Sequence, residues 1–417
     1  MPELLSPAGN FEKLKAAVRF GADAVYMAGP GFGMRTASAE MSRETLAEAV
    51  AYAHAHGVRA YVTVNTMPRE YEYGALRDYL LFLKTVSPDA LIVADIGVLT
   101  LCRELVPNIE VHLSTQANAV SAAACRAWAS LGASRIVLAR ELSLDEICAI
   151  RAALPKSVEL EAFVHGSMCI SYSGRCLLSS HMIGRDANRG QCAQPCRWHY
   201  TGVIYEEKRP HMPIPVEEEK GETFIMSSTD LCMIEHIEAL MQAGIDSFKI
   251  EGRMKSAYYT AVCTNAYKIA MRLCEKGETV PKRALLRELF SVSHREYATG
   301  FYFEEHPARD AHVTGQSSYV GEKSYLADVL SYDTESGIAY CIQRNKLSVG
   351  DAVDLLTPGK TGVPFTVTEL WDETHEMIDA APHPQMNFYI KTPFAVREGD
   401  ILRASVTLEK GGMNVVS

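Results

Sequence analysis

ELLSPAGNFEKLKAAVRFGADAVYMAG, residues 3–29, carries the unit from which the first part of the chain is built. An apolar run led by Leu4 and Leu5 passes into FEKLKAAVRFG, where Phe11, Leu14, Ala17 and Val18 recur at helical spacing, and ADAVYMAG opens the next run. Runs that are apolar throughout, rather than alternating, suit strands of a parallel sheet covered on both faces. The unit then repeats. RAYVTVN (59–65), ALIVADIG (90–97), EVHLSTQAN (110–118), RIVLAR (135–140), ELEAFVHG (159–166) and DSFKIEG (246–252) read as strands separated by helical segments. Gly21, Gly57, Gly132 and Gly244 stand where helix C-caps belong. Eight strand–helix units within residues 1–275 predict a (β/α)8 TIM-type barrel. A doubly wound sheet is the competing architecture, and strand count and length favour the barrel.

The rhythm breaks after the seventh strand. Residues 167–230 form an insertion with a cysteine segment, the stretch RPHMPIPVEEEKGE and an expected hairpin of TGVIYEEK with ETFIMSS. An insertion after a barrel strand lies on the C-terminal face, where active sites of this fold are built. Residues 276–317, including KRALLRELFSV, read as a helical connector. From 318 to 417 short alternating strands (GIAYCIQRN, DAVDLLTPG, PFTVTELWD, NFYIKTP) predict a small all-β barrel or sandwich.

Composition narrows the function classes. The 417 residues are 47% hydrophobic and 22% charged, as in a folded globular protein. The longest apolar stretch, ALIVADIGVLTLC, is broken by Asp95 and too short to span a membrane. MPELLSPAGN lacks the basic and apolar regions of a secretory leader, so a cytoplasmic location is expected. A net charge of −10 speaks against a uniformly cationic coat for nucleic acid but leaves room for a local basic cleft. Eleven cysteines, an odd count, do not suggest a disulfide framework in such a chain. HExxH, GxSxG and Walker A motifs are absent, and GPGFG (29–33) does not fit the dinucleotide fingerprint.

Four of the cysteines crowd into HGSMCISYSGRCLLSSHMIGRDANRGQCAQPCRW, residues 165–198. Cys169, Cys176, Cys192 and Cys196 have the spacing C-x6-C-x15-C-x3-C. Four soft thiolates suit tetrahedral zinc or an iron–sulfur cluster, and the irregular loop spacing favours a [4Fe–4S] cluster over zinc. Small buried thiols are the competing reading, and it fits the other seven cysteines, Cys232 included. The segment also carries Arg175, Arg185, Arg189 and Arg197, with His181, Trp198 and His199, as possible holders of carboxylates or phosphates.

Polar residues at the C-terminal strand ends of a barrel read as ligand contacts. They are Asn65, Asp95, Ser114, Gln116, Arg140, Glu161, His165, Lys249, Glu251 and Arg253. Glu161, His165 and Glu251 are the expected acid–base groups. Asn65, Gln116, Arg140, Lys249 and Arg253, with Arg185 and Arg189, are the expected contacts to an anionic substrate. Asp95 could equally cap the next helix, Glu251 could pair with Arg253 or Lys249, and Tyr258 and Tyr259 fit packing better than base stacking.

LLSPAGNFEKLKAAVRFGADAVY, FVHGSMCISYSGRCLLSS and FKIEGRMKS together resemble the collagenase-like peptidase family, U32, and the resemblance runs the full length. GQCAQPCRW, followed by DLC and KIEGRMKS, is most similar to the branch that makes 5-hydroxyuridine in tRNA. That resemblance implies oxygen-independent hydroxylation of the wobble uridine, with tRNA as partner and prephenate as hydroxyl donor. Sister branches hydroxylate a ribosomal RNA cytidine or a quinone precursor. It further implies a [4Fe–4S] cluster on Cys169, Cys176, Cys192 and Cys196, with Cys232 as a possible substitute for one of them. A peptidase using Cys169 with His165 is the alternative from another class, and a non-catalytic subunit working with a paired family member, or a homo-oligomer, is a third.

Overall fold

The computed structural model describes residues 1–34, 41–169, 171–172, 175–186, 191–198, 217–219, 222–224, 228–303 and 325–404. Arg189, His199 and TGVIYEEK lie outside the described residues. Two compact units divide the chain: Met1–Val280 with His294–Tyr319, and Pro281–Ser293 with Val320–Ser417. The segment read as a connector is thus shared between them.

In the first unit, strands β1 (Glu3–Pro7), β2 (Ala24–Met27), β3 (Arg59–Val64), β4 (Ala90–Val93), β5 (Glu110–Leu113), β6 (Arg135–Val137) and β7 (Glu159–Ser167) alternate with helices α1 (Phe11–Arg19), α2 (Arg43–Ala55), α3 (Tyr73–Val86), α4 (Ile96–Leu105), α5 (Ala122–Ser130) and α6 (Leu144–Ala153). The insertion follows, with α7 (Leu178–Ile183), the pair β8 (Glu217–Glu219) and β9 (Glu222–Phe224), and β10 (Asp230–Cys232). Then come α8 (Ile237–Gln242), β11 (Ser247–Ile250) and α9 (Ala257–Glu275). β11 pairs in parallel with both β1 and β7, which closes an eight-stranded parallel barrel, the expected (β/α)8 fold.

Local chemistry explains the boundaries. Side chains of Ser42, Asp95, Ser121, Ser143 and Ser256 accept backbone N–H groups at the starts of α2, α4, α5, α6 and α9, and Ser143 forms a capping box with Glu146. Leu5, Ala24, Tyr26, Tyr61, Ala90 and Ile92 form an apolar cluster across β1–β4. Within the insertion, Glu222–Phe224 pairs antiparallel with Glu217–Glu219. β10 returns antiparallel onto the end of β7, setting Cys232 opposite His165, and β12 (Tyr297–Ala298) extends the sheet beyond β10.

The second unit holds α10 (Lys282–Leu289) and strands β13 (Tyr325–Asp333), β14 (Ile338–Gln343), β15 (Leu347–Ser348), β16 (Ala352–Leu356), β17 (Val363–Thr366), β18 (Leu370–Trp371), β19 (Ala380–Ala381), β20 (Asn387–Lys391) and β21 (Ile401–Ala404). Seven form one antiparallel sheet in the order β17-β16-β21-β13-β14-β20-β18, and β15 pairs with β19. Val329, Ala339, Cys341, Leu355, Phe388 and Leu402 share its core. Buried Arg403 donates to Glu288 Oε1 at 2.8 Å, tying α10 to β21.

Candidate active site

The barrel interior is charged from its floor upward. Arg135 on β6 donates to Glu3 Oε1 at 2.6 Å and to Glu161 Oε2 at 3.2 Å, and pairs with Glu159 at 2.6 Å. Ser247 (2.9 Å) and Tyr61 (2.6 Å) also donate to Glu3, which Arg59 reaches from the outside. One level higher, Lys249 Nζ donates to Glu161 Oε1 at 2.7 Å. Glu161 is wholly buried: burial raises its pKa, but Lys249 and Arg135 outweigh burial and hold the carboxyl below its usual range. Expected as an acid–base group, it stands as a buried carboxylate shared between Arg135 and Lys249.

Above this lies the mouth. The Lys249 ammonium sits 4.6 Å from the Tyr26 ring centroid and 5.5 Å from that of Phe163. Arg140 covers the Phe163 ring at 3.9 Å and donates to Glu251 Oε2 at 3.2 Å. Glu251 thus pairs with Arg140, three residues past the end of β6. Arg253 donates to Thr63 Oγ1 at 3.4 Å and to the Met34 carbonyl. Asn65 accepts from Met34 N (2.9 Å) and donates to Ser114 Oγ (3.1 Å), so its amide stitches two loops together. The barrel thus gathers Arg140, Lys249, Arg253 and Glu251 among aromatic rings, a setting that can hold an anionic, ring-bearing ligand by charge and stacking. Asp95 accepts from Val98 N at 3.0 Å as the cap of α4.

The cysteine segment begins two residues after β7. Cys169, Cys176, Cys192 and Cys196 are all half-buried and free of disulfides. Ser179 of α7 is buried and accepts from Ala193 N at 3.2 Å, and Trp198 Nε1 donates to the Ala193 carbonyl at 3.1 Å, so two parts of the segment are tied together. Among the described residues no three His, Cys, Asp or Glu side chains converge as a metal would need. The donors fit a cluster in kind, since four reduced thiols lie on one partly exposed segment. Arg185 is exposed, and a cavity of about 660 Å³ lies beside Arg175, Cys176 and His181.

The sequence profile of Peptidase family U32 matches residues 9–312, and that of the Peptidase family U32 C-terminal domain matches residues 322–403. The chain belongs to peptidase family U32. Among its relatives, tRNA hydroxylation protein P1 of Bacillus subtilis is 40% identical over 385 residues, 92% of this chain and 90% of that protein. The tRNA hydroxylation protein P of Escherichia coli is 35% identical over 432 residues, 94% of each chain. A collagenase of Porphyromonas gingivalis is 33% identical over 375 residues, 87% of each chain.

In this U32 chain His165 is set apart from the mouth. It is 1% exposed, and its ring packs 5.3 Å from Tyr297, 5.5 Å from Tyr267 and 5.8 Å from Tyr259. Burial pushes its pKa down to about 3, against the pull of Asp230. Its Nε2 is buried without a hydrogen-bond partner among the described residues. Tyr258 and Tyr259 are buried in α9, as packing predicts. Cys232 is buried opposite His165, and burial pushes its thiol up to about 12, whereas the four loop cysteines are half-buried. Two groups at the strand ends went unread in sequence. Gln116 Oε1, Asn118 Oδ1 and Nδ2, and Glu141 Oε2 are buried without hydrogen-bond partners among the described residues, and burial raises the pKa of Glu141. Gln116 was expected from its place; Asn118 and Glu141 follow β5 and β6 just as closely, and that position was the available signal. No helix among the described residues is long and apolar enough to cross a membrane.

Proposed function

We propose that this chain is a tRNA hydroxylase, acting on the wobble uridine at carbon 5 in the cytoplasm. The observation that carries the reading is the near end-to-end likeness to the tRNA hydroxylation proteins P1 and P. The residues support it in two ways. Arg140, Lys249 and Arg253 offer the mouth of the barrel three cations for a small carboxylate such as prephenate, with the Phe163 and Tyr26 rings beside them. Gln116 and Asn118 bring amide groups whose buried atoms are free to pair with a base. Cys169, Cys176, Cys192 and Cys196 would hold a [4Fe–4S] cluster, which when bound would supply one-electron chemistry.

Peptidase action is the second reading, and it rests on the likeness to the collagenase. It needs Cys169 to act with a base, yet His165 is sealed among tyrosines. The test is deletion of the gene followed by mass spectrometry of tRNA nucleosides. Loss of hydroxyuridine-derived nucleosides, restored by the wild-type gene and not by a Lys249→Met copy, is the expected result. Unchanged nucleosides in a strain lacking any paralogue overturn the reading, and peptide cleavage abolished by Cys169→Ala would put the peptidase in its place. Protein purified without oxygen should be brown and lose iron in Cys176→Ser; a colourless protein with one tight zinc rejects the cluster.

A further inference from the structure

The second unit carries a binding feature that the hydroxylation chemistry does not use. Ser331 on β13 pairs with Tyr340 on β14, Tyr340 with Tyr389 on β20, and Tyr389 with Trp371 on β18. These four side chains therefore form one transverse row on a single face of the sheet. The neighbours Ala339, Cys341, Phe388 and Ile390 point the other way and build the core, so the row belongs to the outer face. Tyr340 and Tyr389 stand 4.8 Å apart, and His375 stacks on Tyr389 at 4.5 Å. The loop that delivers His375 is held by Asp372, which accepts from Thr374 N (2.8 Å), Thr374 Oγ1 (2.7 Å) and Glu376 N (3.1 Å). Ser331, Asp333, Tyr340, Trp371, His375 and Tyr389 line a cavity of about 330 Å³.

Charge selects the occupant. The two loops that frame the cavity, 333–337 and 372–376, contain Asp333, Glu335, Asp372, Glu373 and Glu376 and no lysine or arginine. Glu373 accepts from Tyr340 OH and from Asn387 Nδ2, each at 3.0 Å, so one carboxylate sits against the aromatic row. Lys391, the nearby cation, is tied to the Ser336 carbonyl. Aromatic faces beside carboxylates attract a cation, and a planar guanidinium can stack on a ring while its edge pairs with a carboxylate. A phosphate-bearing chain would meet repulsion from the same loops.

We propose that this cavity docks an arginine side chain of a partner polypeptide. The test uses the full-length protein and a fluorescein-labelled nonapeptide carrying three arginines, followed by anisotropy, with a glutamate nonapeptide and a uridine-rich RNA oligonucleotide alongside. The arginine peptide should bind saturably, and salt should weaken it. Tyr340→Leu and Asp333→Asn should each weaken binding about tenfold, while Tyr340→Phe, which keeps the ring, should stay within about twofold. Asp333 is exposed, so its variant decides the matter even if Tyr340→Leu does not fold. Absence of saturable binding, or equal affinity in wild type and Asp333→Asn, overturns the proposal. So does RNA binding that Tyr340→Leu abolishes in the absence of arginine-peptide binding, which would make the row a base-stacking surface.

Discussion

At the scale of the residue, His165 and Glu161 mark how far chemistry can be read from type and position. Strict alternation along β7 would put Glu161, Phe163 and His165 on one side, and the first two do face the barrel interior. The β7–β11 pairing shifts register between Lys249 and Ile250, and beyond it the His165 ring meets Tyr259 and Tyr267 of α9. That irregularity belongs to two strands far apart in sequence, so no local pattern announces it. A consequence is measurable. With a folded pKa of about 3 against about 6.5 for an unfolded histidine, the unfolded chain binds the extra proton between those values. The contribution of His165 to stability is therefore complete above pH 6.5 and is lost as pH falls toward 3, by at most about 1.4 kcal/mol per pH unit. The urea midpoint of the wild type should fall more steeply from pH 6.5 to pH 5 than that of His165→Gln; parallel slopes would mean that the imidazole is solvated.

At the scale of the element, the close of the barrel depends on the glycine after His165. Gly166 has φ 105°, and a Cβ there would lie 2.4 Å from the Glu251 carbonyl oxygen and 3.0 Å from Tyr259 OH. The backbone and the hydroxyl that crowd it belong to the turn after β11 and to α9, so neither can yield cheaply. Gly166→Ala should cost about 3 kcal/mol, from the left-handed backbone and the overpacking together, read as a lower urea midpoint. A stability within about 0.5 kcal/mol of wild type would show that the β7–β11 junction is slack. The helices themselves were easier to foresee. Their caps and glycines act within one turn, so Asp95 at the start of α4 and Gly57 after α2 could be placed from neighbouring residues alone.

At the scale of the whole molecule, the proposed action on tRNA has to coexist with a net charge of −10. Only local cationic surface can serve, and contacts of that kind release counterions. A site that neutralises four phosphates should lose about two orders of magnitude in affinity between about 50 and about 200 mM salt. Filter binding with unmodified tRNA measures the slope, and a flat salt dependence would mean that the RNA is held by stacking rather than by phosphate contacts. The cysteine segment and the mouth arginines are the places to look for the loss of slope on substitution.

The sequence by itself determined the eight-unit barrel, the β strands of the second unit, the crowding of thiols after the seventh strand and the cations of the mouth. Each of these rests on periodicity, capping or composition, which act over a few residues. Tertiary structure alone decided that Glu161 is neutralised between Arg135 and Lys249, that Arg140 pairs with Glu251, and that Tyr340, Tyr389 and Trp371 line up in one row. Those outcomes depend on closure of the barrel and on the register of strands distant in the chain, which bring together charges and rings that the sequence keeps far apart.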